Sequence, residues 1–198
     1  MSGVEPGPDG RPRCPWALSA PELLPYHDQE WGRPLHGDRE VFERLTLEAF
    51  QSGLSWLTIL RKRPAFRRAF ADFDLAAVAA YGDADRERLL ADASIVRNRA
   101  KIDAALTNAR AALALPAGLS AFLWSFALVP GPAPRTLADL PASTPESTAM
   151  ARELRRRGFV FVGPTTAYAL MQAAGMVDDH LQGCVARGRG AARRRARR

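Results

Sequence analysis

The chain reads as an all-α protein. Three observations predict it: apolar residues recur at helical spacing through 38–53 and again through 97–114, nowhere does the sequence alternate convincingly in the manner of a strand, and glycine, proline or a capping residue punctuates each helical stretch. The 198 residues, 47% hydrophobic and 25% charged, suit one globular domain or two small lobes around a shared core.

Residues 1–12, rich in Gly and Pro and without periodicity, read as a disordered leader, so structure is expected from residue 13. Asp38 is a candidate N-cap for a helix that puts Val41, Phe42, Leu45 and Ala49 on one face. That helix stops at Gly53, where glycine tolerates a left-handed turn. Ser55 is placed to cap the next. Further helices are predicted at about 64–72, 75–81, 84–92 and 97–114, the last with Ile102, Leu106, Ala109 and Leu113 in register. Val129 to Ser143, with Pro130, Pro132, Pro134 and Pro141, reads as a linker.

Beyond the linker, Ser143 and Glu146 have capping-box spacing with Pro145 inside the first turn, which predicts a helix to about Arg157. Gly158 to Gly163 reads as a short hairpin, and Pro164 opens a second helix through Tyr168 and Met171 to Gly175. Two helices about a glycine-flanked turn, at about 145–175, form a helix-hairpin-helix pattern. Backbone N–H groups at such a turn, Gly163 among them, can face a phosphate without any side chain. The alternative is an ordinary helical hairpin with Phe159 and Phe161 in the core.

Charge points to a polyanionic partner less directly than its total of +7 implies. From Val185 onward there are seven arginines and no acid, so residues 1–184 sum to zero. Residues 185–198 therefore read as a disordered Arg-rich tail, either a bland solvated run or an arm that adds salt-sensitive attraction to DNA phosphates. The first residues hold no apolar stretch for a signal peptide. The best apolar run, Ala121 to Pro130, falls short of the ~20 residues needed to span a bilayer. A cytoplasmic monomer with no membrane association is expected.

Both cysteines and two of the three histidines fall into two clusters, Cys14 with His27 and His180 with Cys184. His180 and Cys184, four residues apart, can share one helical face, as two ligands of a tetrahedral site require. A Cys₂His₂ set suits a closed, structural zinc rather than a catalytic one with an open position. A disulfide between the chain ends stays open as the alternative. His36, in a Gly-rich turn, reads as solvated.

The most specific segments are Tyr-His-Asp-Gln-Glu-Trp-Gly at 26–32, Gly-Leu-Ser-Trp at 53–56 and Asp-His-Leu-Gln-Gly-Cys at 179–184, and the motifs run in order through 13–184. Together they resemble the DNA-3-methyladenine glycosylase I family of zinc-containing helix-hairpin-helix glycosylases. The resemblance implies that residues 13–184 form a glycosylase domain. It also implies one structural Zn²⁺ held by Cys14, His27, His180 and Cys184, joining the N- and C-terminal segments. Glu48 and Trp56 match positions that recognise the excised base, and Tyr26, Trp16 and Trp31 match aromatic positions lining the pocket. The implied partner is double-stranded DNA carrying alkylated bases, and the implied reaction is monofunctional hydrolytic excision of 3-methyladenine, leaving an abasic site.

The residue types make chemical sense. Methylation at N3 renders the nucleoside cationic and its glycosidic bond labile, so selective capture matters more than raw catalytic power. Aromatic faces attract such a cation by ~0.5–2 kcal/mol each, and a buried Glu48 carboxylate can pair with it and accept from its exocyclic amine. Leu54 is placed to wedge into the stack vacated by a flipped nucleotide, with plain core as the alternative. Asp28 and Glu30 are read as supports of His27, and Asp178 or Asp179 as a group that orients His180. Without the resemblance the aromatic residues read rather as core, the commoner fate of their type, and Glu48 as a solvated helix residue. The competing functional classes are a nonenzymatic zinc-stapled DNA-binding module and, more remotely, a Cys–His thiol enzyme.

Overall fold

A computed structural model describes residues 3–128 and 131–188. Among them, nine α-helices carry the architecture: α1 Leu23–Gln29, α2 Asp38–Gln51, α3 Trp56–Ala69, α4 Leu75–Ala80, α5 Asp83–Ala91, α6 Arg99–Leu113, α7 Leu119–Trp124, α8 Pro145–Arg156 and α9 Pro164–Ala173. The sheet they contain is one antiparallel pair, β1 Glu5–Pro6 with β2 Pro12–Arg13.

Helix α2 is the hub, packed against α3, α6, α7 and α9. Its predicted face, Val41, Phe42, Leu45 and Ala49, is buried, and Gly53 at φ +78° closes the turn beyond it. Asp38 is the first helical residue rather than the cap. Its carboxylate accepts instead from the backbone N–H of Ser120 at 2.8 Å, which fastens the start of α7. Ser55 caps α3 as its type predicts, accepting from the Thr58 N–H at 3.2 Å. Helix α3 begins eight residues before the expected 64, because the cap and the buried pair Ile59 and Leu60 hold the first turns although Pro64 sits inside the helix. The phenylalanines Phe42, Phe50, Phe66, Phe70 and Phe73 form a fully buried cluster of edge-on and stacked rings. Helix α7 has too few turns to announce itself by periodicity; Leu119 and Leu123 anchor it.

The C-terminal helix pair is capped one residue later than predicted. Thr144, not Ser143, accepts from the Ser147 N–H at 3.1 Å, and the Ser147 hydroxyl accepts in return from the Thr144 N–H at 2.9 Å, leaving Glu146 out of the box. Residues 157–163 join α8 to α9 without any strand pairing. Phe159 and Val162 are buried, whereas Val160 and Phe161 are exposed, Phe161 at a left-handed φ of +61°. Phe161 is therefore not core. The loop is pinned by Asn108, whose side chain is buried, donates to the Val160 carbonyl at 3.0 Å and accepts from the Val160 N–H at 2.8 Å. Asn108→Ala leaves both groups without that partner. It is expected to cost about 2 kcal/mol, read by urea denaturation, and to speed amide exchange at Val160.

Both terminal boundaries need correction. Residues 3–12 are not a structureless leader. The β1–β2 pair closes around Gly10 at φ +74°, and the buried Arg13 side chain grips Asp9 at 2.5 and 2.9 Å and Asp28 at 2.8 to 3.1 Å. At the other end Val185 donates to the Pro12 carbonyl, Ala186 is buried, and Arg187 donates to the His180 carbonyl at 2.6 Å. Ion pairs and backbone closure make this order, and neither leaves an apolar period to read. Arg189 and the arginines after it lie outside the described residues. No helix among the described residues is long and apolar enough to cross a membrane.

Candidate active site

Helix α1 and the turn after it carry the motif of residues 26–32, and almost every side chain in it has a separate task. His27 is fully buried and points Nε2 at the Cys184 Sγ, 3.4 Å away. One donor atom from each of Cys14, His27 and Cys184 lies within 4.8 Å of the others, and both thiols are unbridged. His180 stands edge-on to His27 with ring centroids 5.0 Å apart, and its Nε2 is buried with no hydrogen-bond partner. Each histidine offers the other ring nitrogen, Nδ1, to a carboxylate: His27 to Asp28 at 2.8 Å and His180 to Asp178 at 2.8 Å. Such pairing fixes both rings, and that of His27 has its Nε2 turned toward the Cys184 thiol, whereas His180 stands outside the group of three donors. The hydrogen bond from Cys14, and then that from His27, pull the Cys184 thiol well below its ordinary value, while the same contact and burial push Cys14 up. Gly32, at φ +72°, lets the chain pass beneath His180; a Cβ there would stand 2.5 Å from the imidazole Cε1.

Glu30 does not support His27. It reaches the opposite way and takes Arg63 through both carboxylate oxygens, at 2.5 and 2.8 Å, with Arg44 at 3.5 Å. Burial raises Glu30, but the two guanidinium groups outweigh it and hold the carboxyl below its ordinary value. Asp179, the other open assignment, accepts from the Tyr168 hydroxyl at 2.5 Å and from Gln172 at 2.8 Å; its neighbour Asp178 is the one that orients His180.

Beside the Cys/His cluster opens a cavity of about 430 Å³ walled by Trp16, Leu23, Tyr26, Trp31, Glu48 and Trp56, with Gln51, Ser55, Ala169 and Gln172 also in its lining. All five residues predicted for base recognition face this one space. The two sites share a wall. Trp31 packs edge-on against His180, centroids 4.7 Å apart, and against Trp16 at 5.1 Å, and Trp16 in turn lies 5.2 Å from His27. The Cys/His cluster thus braces the aromatic side of the cavity. Tyr26 and Trp56 form a second tilted pair at 5.2 Å.

Glu48 is the electrostatically exposed element of this pocket. Its side chain makes no hydrogen bond or ion pair with another described residue, and burial pushes its carboxyl up to about 7, with the Arg44 charge working against that rise. The Trp56 indole N–H is likewise buried without a partner. A carboxylate acceptor without a partner among the described residues, in the wall of an aromatic cavity, suits a flat polar ligand that pairs with it.

Leu54 and Gly163, the residues predicted to meet DNA, lie outside the cavity. Leu54 is 42% exposed on the turn leading into α3, beside the Ser55 and Trp56 of the cavity lining, so it is not core. Gly163 precedes Pro164 at the start of α9, whose second and third turns reach the cavity through Ala169 and Gln172. Neither lysine faces the pocket. Lys62 donates to the carbonyls of Ala93, Ser94 and Ile95, and the mostly buried Lys101 donates to those of Phe50 at 2.9 Å and Ser52 at 2.5 Å. His36 is exposed and stacked on Trp124 at 4.5 Å.

Sequence reasoning missed Arg44, Arg63, Gln51 and Gln172. Arg44 had a visible signal: it is a charged residue on the apolar face of α2, one turn before Glu48. Gln51 lies three residues beyond Glu48 on the same helix, whereas Arg63 on α3 and Gln172 on α9 reach the site only through tertiary packing.

Comparison with known proteins places this geometry in context. The model of the methyladenine glycosylase family matches residues 16–187. DNA-3-methyladenine glycosylase 1 of Escherichia coli is 44% identical over 177 residues, covering 87% of this chain and 95% of that protein. DNA-3-methyladenine glycosylase of Haemophilus influenzae is 41% identical over 178 residues, with 87% and 96% covered. A crystal structure of 3-methyladenine DNA glycosylase I superposes with a TM-score of 0.85 at 43% identity, covering 88% of this chain and 99% of the other. A structure from Staphylococcus aureus describing 3-methyladenine recognition gives 0.84 at 34% identity, covering 88% and 96%.

Proposed function

The chain belongs to the methyladenine glycosylase family, and from that premise we propose that it excises 3-methyladenine from alkylated DNA, hydrolysing the N-glycosyl bond in base excision repair. The observation that carries the assignment to this pocket is the buried Glu48 carboxylate, without a hydrogen-bond partner, in the wall of an aromatic cavity. A DNA-binding module without catalysis has no use for that arrangement, since a desolvated carboxylate costs stability unless a ligand completes it.

The reaction follows from the lesion's chemistry. In the N3-methylated nucleotide the adenine ring carries a positive charge. Trp16, Tyr26, Trp31 and Trp56 would enclose that ring once the nucleotide leaves the duplex, and Glu48 would pair with its charge and accept from its exocyclic amine. The C1′–N9 bond breaks with its electron pair passing to the ring, which leaves neutral 3-methyladenine. Water adds its hydroxyl to C1′ and releases a proton, and an abasic site remains. Neutral adenine gains less from the same carboxylate, so discrimination is electrostatic. Neither lysine is among the cavity's lining residues and each ammonium is taken up by backbone carbonyls, in keeping with a monofunctional enzyme that uses no Schiff-base nucleophile.

The Cys14, His27, His180 and Cys184 donors fit a structural zinc. The set is two thiols and two imidazoles, both imidazoles are oriented by carboxylates, and the buried Nε2 of His180 lacks any other partner. Bound there, Zn²⁺ would supply cohesion and no chemistry of base release. We also read α8, the loop and α9 as the helix-hairpin-helix that holds the phosphate backbone through N–H groups near Gly163, with Leu54 filling the gap left by the flipped nucleotide. The exposure of Leu54 supports the second part. A monomer acting on duplex DNA in the cytoplasm, where thiols stay reduced, completes the proposal.

Trp56→Ala tests the pocket assignment. It is expected to keep its helical content and to lower release of 3-methyladenine from methylated duplex DNA by about ten- to a hundredfold, the worth of one base–aromatic stack. Undiminished release would move the base elsewhere.

A further inference from the structure

A fixed cation stands beside a cavity whose ligand is itself a cation. Arg44 is only 7% exposed and lies behind the aromatic wall, outside the cavity lining. Its Nη1 donates to the Tyr26 hydroxyl at 2.6 Å, and its guanidinium carbon lies 5.2 Å from the Tyr26 ring centroid and 5.3 Å from that of Trp56. Glu30 takes another edge of the guanidinium at 3.5 Å and is itself clamped by Arg63. Burying a guanidinium costs desolvation, and this one also repels the ligand. An apolar side chain would fill the space behind two rings without either penalty.

Two consequences of the geometry offset that cost. A guanidinium only donates, so the Tyr26 oxygen must accept from Arg44, and the hydroxyl hydrogen is turned away from it and left to donate elsewhere. Arg44 also precedes Glu48 by one turn of α2, on the same face. The charged and titratable groups around Glu48 are Arg44 on its own helix, Tyr26 on α1, Glu30 just after α1 and Arg63 on α3. The lining residues from α9, Ala169 and Gln172, are uncharged. Glu30 and Arg63 neutralise one another through their two-pronged pair, so the net charge that Glu48 faces is that of Arg44.

We propose that Arg44 is a positioning residue for the base pocket: it fixes the Tyr26 hydroxyl as a donor, holds the Tyr26 and Trp56 rings in place, and supplies the standing positive charge that keeps Glu48 an acceptor. The proposal rests on the cavity being the base pocket. A carboxyl pushed up to about 7 by burial is already half neutral at physiological pH with Arg44 in place. Without that charge it would be mostly protonated, and a protonated Glu48 neither attracts the cationic base nor accepts from its amine with both oxygens.

The test is the pH dependence of kcat/KM for release of 3-methyladenine from methylated duplex DNA, which reports ionisations of the free enzyme. Activity rises as Glu48 ionises. In Arg44→Met the rising limb is expected to move up by about one pH unit, with about tenfold lower kcat/KM at pH 7. Arg44→Lys keeps the charge and returns the limb toward its wild-type position. It does not recover the full rate, because a lysine cannot hold Tyr26 and Glu30 together in one plane. Should Arg44→Met fail to fold, Arg44→Gln carries the same expectation. A folded neutral variant whose limb stays put, whatever its rate, overturns the proposal and leaves Arg44 a packing residue. Wild-type protein that releases no 3-methyladenine at any pH brings down the pocket reading and the proposal together, so the two failures are distinct.

Discussion

Glu48→Gln is expected to lose release of 3-methyladenine by at least about a hundredfold, the scale of removing a buried group that pairs with transition-state charge, while folding more stably than the wild type. The two effects have one cause. The carboxylate sits in an aromatic cavity with no hydrogen-bond partner among the described residues, so the charge that captures the base is a burden to the empty fold. Glutamine keeps the shape and an acceptor oxygen but not the charge. The sign of the pH effect follows from the raised carboxyl. The folded state holds its proton up to about 7, against an ordinary 4.5 for the unfolded chain. Below 4.5 both states are protonated and Glu48→Gln gains nothing. From there to about 7 the unfolded chain is increasingly favoured by ionisation, so wild-type stability falls as pH rises. Above 7 the variant keeps a constant advantage of about 3 kcal/mol. Urea denaturation at pH 4 and pH 8 measures both limits. Equal stability of the two proteins at pH 8 would mean that Glu48 has a partner in the empty pocket.

Cys14→Ser carries the second large effect, on stability. If the four Cys and His donors hold zinc, the wild type contains one ion per chain, and the variant loses most of it together with on the order of 5 kcal/mol or more of stability. The loss spreads beyond the ion. Cys14 and His27 belong to the N-terminal part and His180 and Cys184 to the other end of the chain, so the site closes a long loop. His27 and His180 also back Trp16 and Trp31 in the cavity wall. The variant should therefore bind free 3-methyladenine more weakly although residue 14 does not line the cavity. Metal analysis of the purified protein and thermal unfolding with and without a strong chelator provide the readout. Metal-free wild type with an unchanged melting temperature in Cys14→Ser would remove the staple.

Much of the site was legible because its residues sit in short, unusual strings. The motif of residues 26–32 placed a pocket wall, a histidine of the Cys/His cluster and that histidine's supporting aspartate within one turn of helix and the bend after it. The long helices α2 and α6 were legible because their apolar faces repeat over several turns. What stayed hidden has physical reasons. Glu30 was read as a neighbour of His27 because it is close in sequence. Its side chain leaves on the other side of the turn, where Arg63 comes from a helix 33 residues on. The order in residues 3–12 and 185–188 rests on Arg13, Asp9 and backbone closure, which carry no period. Phe161 belonged to the core only in the alternative of an ordinary helical hairpin; the loop turns it outward at a left-handed φ, a conformation that composition does not announce. Arg44 was the readable signal that went unread, a charge in the middle of an apolar face.

The most direct measurement of the central claim is chromatographic identification of the bases released when the wild-type protein meets duplex DNA treated with a methylating agent, with untreated DNA alongside. Free 3-methyladenine and matching abasic sites are expected from the treated DNA, and negligible adenine from the untreated. Methylated DNA that keeps all its 3-methyladenine beyond the spontaneous loss would contradict it.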